Sequence, residues 1–447
     1  MALERQTATL PPAQPTAVLR GHAAHIHSIL FVRQNSRLLT GDADGWVVLW
    51  NVQTKRPLAV WPAHHGPILG FAQWGQANII THGRDNRIRI WRLEPDDGAG
   101  KLSSTLPEDG NREHTPKPWL LHSLPVNTLN FCSFSMCYQC PPASIAADDS
   151  IFVAVPSTDD KMIDVYSFPS ELLKVRIPRI QKVETGMAMA VKLIRSQVTQ
   201  RILLLAGYEG GVTAAFMLAE EHADRGVETA QLVYLSQPHS QPILSLDASP
   251  ECDFYYTSSA DAVIAKHRIP DLPHHPDRVD NSSTIPSSES SLDLFARRNV
   301  NQTESRTSAP SGLSSLLSSS APLAKSKPAP PVRAVVSLQP PYKLVDTKHA
   351  GQQSLRVRSD GRLVVTGGWD SRIRIYSTKT LKEVAVLKWH KEGVYSTAFG
   401  EILTPEEAGC SDKVVNKRQK ERDEQTRLKH WVAAGAKDGK VSLWEIF

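Results

Sequence analysis

Two clusters in this sequence have the residue types of a metal site. His22, His25 and His27 stand together as His-Ala-Ala-His-Ile-His, and imidazole is the commonest protein ligand for transition metals. In an extended chain alternate residues share a face, so His25 and His27 point together and His22 does not. No cysteine or carboxylate close by completes a tetrahedral set, so packing is the stronger reading. Cys132, Cys137 and Cys140 have a loosely zinc-like spacing, but no fourth ligand stands near them, and they read as loop and core thiols. The motifs of catalysis are missing too: there is no nucleophile elbow, phosphate-binding loop, HExxH pair or dinucleotide glycine pattern. The expectation is a protein without enzyme activity, metal or cofactor.

The remaining carboxylates of interest recur in step. Asp44, Asp85, Asp370 and Asp438 each sit six residues ahead of an aromatic residue, at Trp50, Trp91, Tyr376 and Trp444. An acidic residue repeated at a Gly-rich turn is explained by backbone capping rather than by proton transfer. Around each turn the chain reads strand, turn, strand, as in Leu38-Leu39-Thr40-Gly41-Asp42-Ala43-Asp44-Gly45-Trp46-Val47-Val48-Leu49-Trp50-Asn51. The second strand is wholly apolar because both its faces must be buried. Weaker copies follow, with Asp160 and Tyr166, with Glu209, and with Asp261 and His267. In the third copy, Val126 to Phe131 reads as a strand.

These repeats predict an all-β fold of four-stranded units, seven in number, arranged as a propeller. The chain stops at Phe447 with no residues for a last outer strand, and one lone strand, Ala17 to Arg20, precedes the first cycle. The N-terminal strand is therefore expected to complete the seventh blade, leaving no open seam. Residues 1–16 read as a disordered tail and 17–447 as the propeller. Three insertions interrupt it: a polar loop at 94–117, a Ser/Pro-rich disordered stretch at 270–341 and a charged segment at 404–429. The Ser-rich part, 280–325, reads as a passive linker open to phosphorylation. Lys417-Arg418-Gln419-Lys420-Glu421-Arg422 reads as a solvated, partly helical loop, with nuclear import or partner docking as the functional alternative.

Composition sets the remaining bounds. Of 447 residues 40% are hydrophobic and 22% charged, and the net charge is only +5, which argues against nucleic-acid binding unless the charge is clustered. Five cysteines with irregular spacing suit a reducing compartment. The polar start lacks a secretory h-region and the longest aliphatic run is too short for a bilayer, so an intracellular soluble protein is expected.

The Gly21-His22 pair, the turn Asp and the closing Trp-Asn of residues 50 and 51 resemble the WD40 repeat family. In that family the histidine, the turn Asp and the Trp share a buried hydrogen-bond network. The resemblance implies such a role for His22, Asp44 and Trp50, for Asp85 and Trp91, for His349 with Asp370, and for His390, Asp438 and Trp444. Where Glu209 and His267 depart from the pattern, an incomplete network and a less rigid blade are expected. Degenerate central repeats, the Ser-rich and charged insertions and the ending Trp-Glu-Ile-Phe look like the fungal ASTRA-associated protein 1 family, related to the G-protein β-subunit-like propellers. That resemblance implies a nuclear, non-enzymatic scaffold subunit of the ASTRA assembly. It links the chain to chromatin remodelling and to the co-chaperone system that matures phosphatidylinositol-3-kinase-like kinases. A substrate-recruiting adaptor of a ubiquitin ligase and a histone-binding propeller are the alternatives.

Partners are then expected to be protein subunits, with no nucleic acid, membrane or small-molecule substrate. The residues just before each turn acid share one rim: Ala43, Arg84, Asp159, Tyr208, Ala260, Trp369 and Lys437. Of these, Arg84, Tyr208, Trp369 and Lys437 form the candidate partner-binding set, because aromatic and cationic side chains dominate interface hot spots. The plainer reading is that Trp369 only covers its neighbour's turn.

Overall fold

Strand Trp46–Asn51 shows how the repeat builds a core: every residue but the last is buried. Trp46, Val48 and Trp50 join one apolar cluster with Leu19, Ile26 and Leu443. Val47 and Leu49 join another with Trp61, Ile68 and Trp91. Successive side chains on a strand point to opposite faces, so a strand with no polar residue serves two cores at once.

The computed structural model describes residues 13–94, 102–129, 131–140, 150–218, 226–270, 336–409 and 417–446. All of its strands fall in one unit, Met1–Pro273 with Val336–Phe447. The second unit, His274–Val335, lies outside the described residues. So do most of the expected tail 1–16 and most of the Ser/Pro-rich stretch 270–341.

Seven sheets form a seven-bladed propeller. In the first, Ile26–Val32 is innermost, followed outward by Arg37–Asp42, Trp46–Asn51 and Pro57–Pro62. The other innermost strands are Ile68–Trp74, Ser135–Tyr138, Ala188–Arg195, Ile243–Ala248, Gln352–Val357 and Val394–Phe399. The ring closes as the sequence predicts. Ala17–Leu19 pairs antiparallel with the last blade, Ala17 opposite Leu443, Val18 opposite Ser442 and Leu19 opposite Val441. An apolar cluster fills each of the seven junctions between neighbouring blades.

One strand is misplaced by the sequence reading. None of the described residues of Val126 to Phe131 belongs to a strand; the third blade starts at Ser135–Tyr138, and Leu129 and Phe131 are exposed instead. Alternation of apolar and polar residues in that stretch mimics a strand, but both large side chains face solvent.

Antiparallel order puts the turns between second and third strands, and the links from one blade to the next, on one face. The loops after first and third strands emerge on the other face, and these carry all three insertions. The described part of the first insertion folds back along the wall of blade one. There the Val60 N–H donates to the Ser103 carbonyl at 2.8 Å, Leu106 packs on the closing junction, and Arg112 lies over the Trp46 ring. The charged insertion forms two helices, α1 (Pro405–Gly409) and α2 (Lys417–Leu428). No residue of α2 is buried, yet its end is tied down, because the Trp431 indole donates to the Thr426 carbonyl at 2.8 Å.

Candidate functional site: histidine networks and an open rim

In blade one, His22 Nδ1 lies 2.7 Å from Asp42 Oδ2 and Nε2 lies 2.7 Å from Thr40 Oγ1. The Trp50 indole donates to the same hydroxyl at 2.8 Å. One proton arrangement satisfies the set: Nδ1–H donates to the carboxylate, the Thr40 hydroxyl donates to Nε2, and Thr40 Oγ1 accepts from Trp50. The carboxylate is that of Asp42 and not Asp44, which corrects the sequence reading. Asp42 ends the strand fully buried, and its other oxygen caps the turn through the N–H groups of Asp44 and Trp46, at 3.0 and 2.9 Å. Asp44 is exposed, and its carbonyl accepts from Arg112.

Blade two uses the turn acid as expected. His64 lies 2.8 Å from Asp85 Oδ1 and 2.7 Å from Thr81 Oγ1, and Trp91 donates to Thr81 at 2.9 Å. Gly83 stands where blade one has Asp42, and a Cβ there would run into the His64 ring. The two blades thus supply the acid from different positions two residues apart. Burial is the largest influence on Asp85 and favours its neutral form. The bonds from His64, Arg89 and the His65 N–H outweigh it and hold the carboxyl well below its usual range. Burial also lowers His64, which keeps a neutral imidazole against an ionised acid.

The last blade has Ala434 where blade one has Thr40, and the hydroxyl comes from Ser442 directly opposite it. His390 Nε2 and the Trp444 indole meet Ser442 Oγ at 2.7 and 2.8 Å. Asp438 stays 3.8 Å from His390. In blade six the expected His349–Asp370 pair is not a buried network. His349 is exposed and 3.8 Å away, because Arg374 takes Asp370 with two bonds at 3.0 and 2.6 Å.

Blade five departs from expectation in the other direction. His239 meets both oxygens of Asp261 at 3.1 Å and Thr257 Oγ1 at 2.8 Å. His267 replaces the Trp, with Nε2 3.2 Å from Thr257 and Nδ1 3.1 Å from the Tyr234 hydroxyl. Burial pushes His267 down to about 3, so it works as a neutral ring. Its stack on Tyr255, with centroids 4.5 Å apart, replaces the missing indole surface. Only blades three and four lack the histidine. Arg176 holds Asp164 at 2.7 Å in one, and the Glu209 carboxylate accepts the Met187 N–H at 3.2 Å in the other.

Four of the candidate metal ligands, His22, His25, His27 and Cys132, are engaged in contacts within the fold. His22 is committed to Asp42 and Thr40, while His25 and His27 gather around Tyr395. Cys132 is fully buried and burial raises its thiol pKa. Among the described residues no three His, Cys, Asp or Glu side chains form a set able to hold an ion.

On the rim, the Arg84 guanidinium lies 4.0 Å over the Phe131 ring, a cation–π contact. Trp369 is 49% exposed and its indole donates to Gln353 Oε1 at 2.9 Å. Lys437 is exposed. Tyr208 is not on the rim: it is 1% exposed and packs in the core between blades three and four. As the last strand residue before the turn, it points into the blade junction. Phe131 and Trp369 line the mouth of a central channel of about 530 Å³, together with His27, Lys192, Arg356 and Tyr395. Phe131 and Leu129 were hidden in the sequence by their strand-like alternation.

Seven four-stranded blades, two of them with a complete His–Asp–Thr–Trp network and two more with variants of it, define a WD40-type β-propeller, with one rim that the described residues leave open around its channel. A profile of the ASTRA-associated protein 1 family matches residues 15–444. The ASTRA-associated protein 1 of Verticillium alfalfae is 40% identical over 98% of this chain and 94% of its own length. That of Pyricularia oryzae is 40% identical over 98% of both chains, and that of Schizosaccharomyces pombe 28% identical over 86% and 93%. The chain belongs to the ASTRA-associated protein 1 family.

Proposed function

We propose that this chain is a non-enzymatic scaffold subunit of the ASTRA assembly for which its relatives are named. Its place of action is the nucleus, where it serves chromatin remodelling and the co-chaperone maturation of phosphatidylinositol-3-kinase-like kinases. The observation that carries the reading is the open rim. Trp369 and the Arg84–Phe131 pair stand half-covered around the channel mouth, on the face away from which the insertions emerge. Rigid aromatic and Arg side chains of this kind form the energetic centres of protein interfaces. Beneath Arg84 the His64–Asp85 network, and beneath Trp369 the Asp370–Arg374 pair, hold the turn acid in place, so these side chains are presented at a reduced ordering cost.

The test is purification of the tagged full-length chain from native nuclear extract, with its subunits identified by mass spectrometry. The double variant Trp369→Ala, Arg84→Ala is expected to recover the ASTRA subunits at least about tenfold less well, the loss of roughly one hot spot, while melting like wild type. Undiminished recovery of those subunits by the double variant overturns the rim assignment. Recovery of ligase subunits or of histones alone replaces the scaffold reading with one of its rivals.

A further inference from the structure

The outer edges of the blades are managed unequally. Val60 on Pro57–Pro62 is bridged by Ser103, and Glu228–Thr229 runs parallel beside Leu172–Ile177. The Leu235 carbonyl on Gln231–Ser236 accepts the Gln339 N–H at 2.8 Å. Just past Ala17–Leu19, the Gly21 carbonyl accepts the Glu108 N–H at 3.0 Å. In these four blades the chain's own loops shield the edge. Among the described residues nothing pairs with the outer sides of Lys343–Asp346 and Glu383–Lys388, but each is guarded by a charged residue at both ends, a device that discourages pairing with another chain.

Blade two has neither protection. Its outer strand, Trp119–Pro125, contains no Lys, Arg, Asp or Glu, and among the described residues nothing pairs with its outer side. Trp119 is 75%, Leu120 42% and Leu121 36% exposed. The strand's one ion-pair contact among the described residues is made by His122, whose Nδ1 lies 2.6 Å from Glu171 Oε1; an edge otherwise apolar offers unpaired backbone groups and hydrophobic contact together, the two requirements for strand addition. The charges lie at its two ends. Lys117 precedes the strand and is exposed; Arg87, opposite Pro125, is exposed too and donates to the Ser123 hydroxyl at 3.2 Å. Among the described residues neither cation ends on a carboxylate. An apolar stretch bracketed by cations is complementary to an apolar stretch bracketed by acids.

We infer that the outer edge of blade two receives an extended segment of a partner protein as an added strand, apolar at its centre and acidic at both ends. Its main chain pairs with Trp119–Ser123, its apolar side chains cover Trp119 and Leu121, and its carboxylates meet Lys117 and Arg87. The site lies on the outer wall and uses none of the rim residues, so it stands apart from the function proposed above.

The test uses the full-length chain and a short synthetic peptide with a Val/Thr/Ile centre and acidic residues at each end. Hydrogen exchange is followed with and without it. Saturable binding is expected, with exchange at Trp119–Ser123 slowed at least about tenfold at saturation. Leu121→Lys and, separately, Lys117→Glu with Arg87→Glu are each expected to weaken binding about tenfold. Val384→Lys, on the guarded edge of blade six, should leave it unchanged. The inference is overturned by absence of saturable binding, or by equal protection of Glu383–Lys388. It also fails if the edge is already protected in dilute protein without peptide, which would mean that this chain covers itself. Protection that grows with protein concentration and vanishes in Leu121→Lys would instead assign the edge to a second copy.

Discussion

Asn35 and Glu401 are bonded to each other twice across the seam between the last blade and the first. The Asn35 amide donates to the Glu401 carbonyl at 2.7 Å, and its side-chain oxygen accepts the Glu401 N–H at 2.8 Å. The same amide reaches the Arg427 carbonyl at 2.9 Å, which fastens the end of α2. The bonds step onward around that face. The Arg33 N–H meets Gln73 at 2.8 Å, the Gly75 N–H meets the Tyr138 hydroxyl at 2.9 Å, and Arg195 meets the Tyr138 carbonyl at 2.9 Å. The clasp sits in a turn where Arg33, Gln34 and Asn35 all have positive φ, a region asparagine tolerates better than most residues.

Two substitutions at Asn35 separate the clasp from the backbone. Asn35→Gly keeps the conformation and loses only the bonds, at a cost of about 2 kcal/mol. Asn35→Ala adds the strain of a left-handed alanine, roughly 1 kcal/mol more. Urea unfolding of both variants measures the difference. A glycine variant as stable as wild type would show that the clasp contributes nothing.

The relocated hydroxyl of the last blade makes a rescue experiment possible. Ser442→Ala leaves the His390 and Trp444 ring nitrogens buried without their partner, and a loss of about 2–3 kcal/mol is expected. Adding Ala434→Thr restores a hydroxyl from the position Thr40 occupies in blade one, and part of the loss should return. If the second change only adds to the damage, the two layouts are not interchangeable.

Acid sensitivity follows from two fully buried histidines. Burial pushes His82 and His267 down to about 3, whereas in the unfolded chain each titrates near 6.5. Below that value the unfolded chain takes up protons that the folded chain refuses, so stability falls as pH drops from about 6.5 towards 3. Each histidine adds a slope of at most about 1.4 kcal/mol per pH unit. Among the described residues neither ring nitrogen of His82 has a hydrogen-bond partner, so His82→Leu should flatten the acid limb and stabilise the fold at pH 5. Urea midpoints at pH 7 and pH 5 decide it, and equal pH dependence in the two proteins would refute the assignment.

Tyr208 and Trp369 should behave oppositely despite equivalent places in the repeat. Tyr208→Ala opens a cavity between blades three and four and costs about 3–5 kcal/mol, while Tyr208→Phe is tolerated because the hydroxyl has no hydrogen-bond partner among the described residues. Trp369→Ala should leave the melting temperature within the few degrees typical of a surface change. Thermal scans of the three variants test the contrast.

The architecture was legible because a two-residue alternation and a six-residue step recur often enough to count, and because one spare strand at the start of the count matches one strand lacking at its end. The networks were legible only as residue types. Nothing local distinguishes Asp42 from Asp44 as the acid, since the choice depends on whether a side chain or Gly83 faces the imidazole. Arg374 displaced His349, and Ser442 replaced an absent threonine, through contacts between strands that a linear pattern does not contain. Tyr208 was misplaced for the same reason: spacing locates a backbone position on the rim but does not say which way its side chain turns.

Closure by Ala17–Leu19 also dictates an order of events during synthesis. The strand that finishes the ring leaves the ribosome early, yet its partner, Val441–Glu445, is made long afterwards. Until then Leu19 and Ile26 have no Leu443 to pack on, and the first blade waits with one flank wet. The packing of the first blade against the last therefore cannot be completed before Val441–Glu445 has been made.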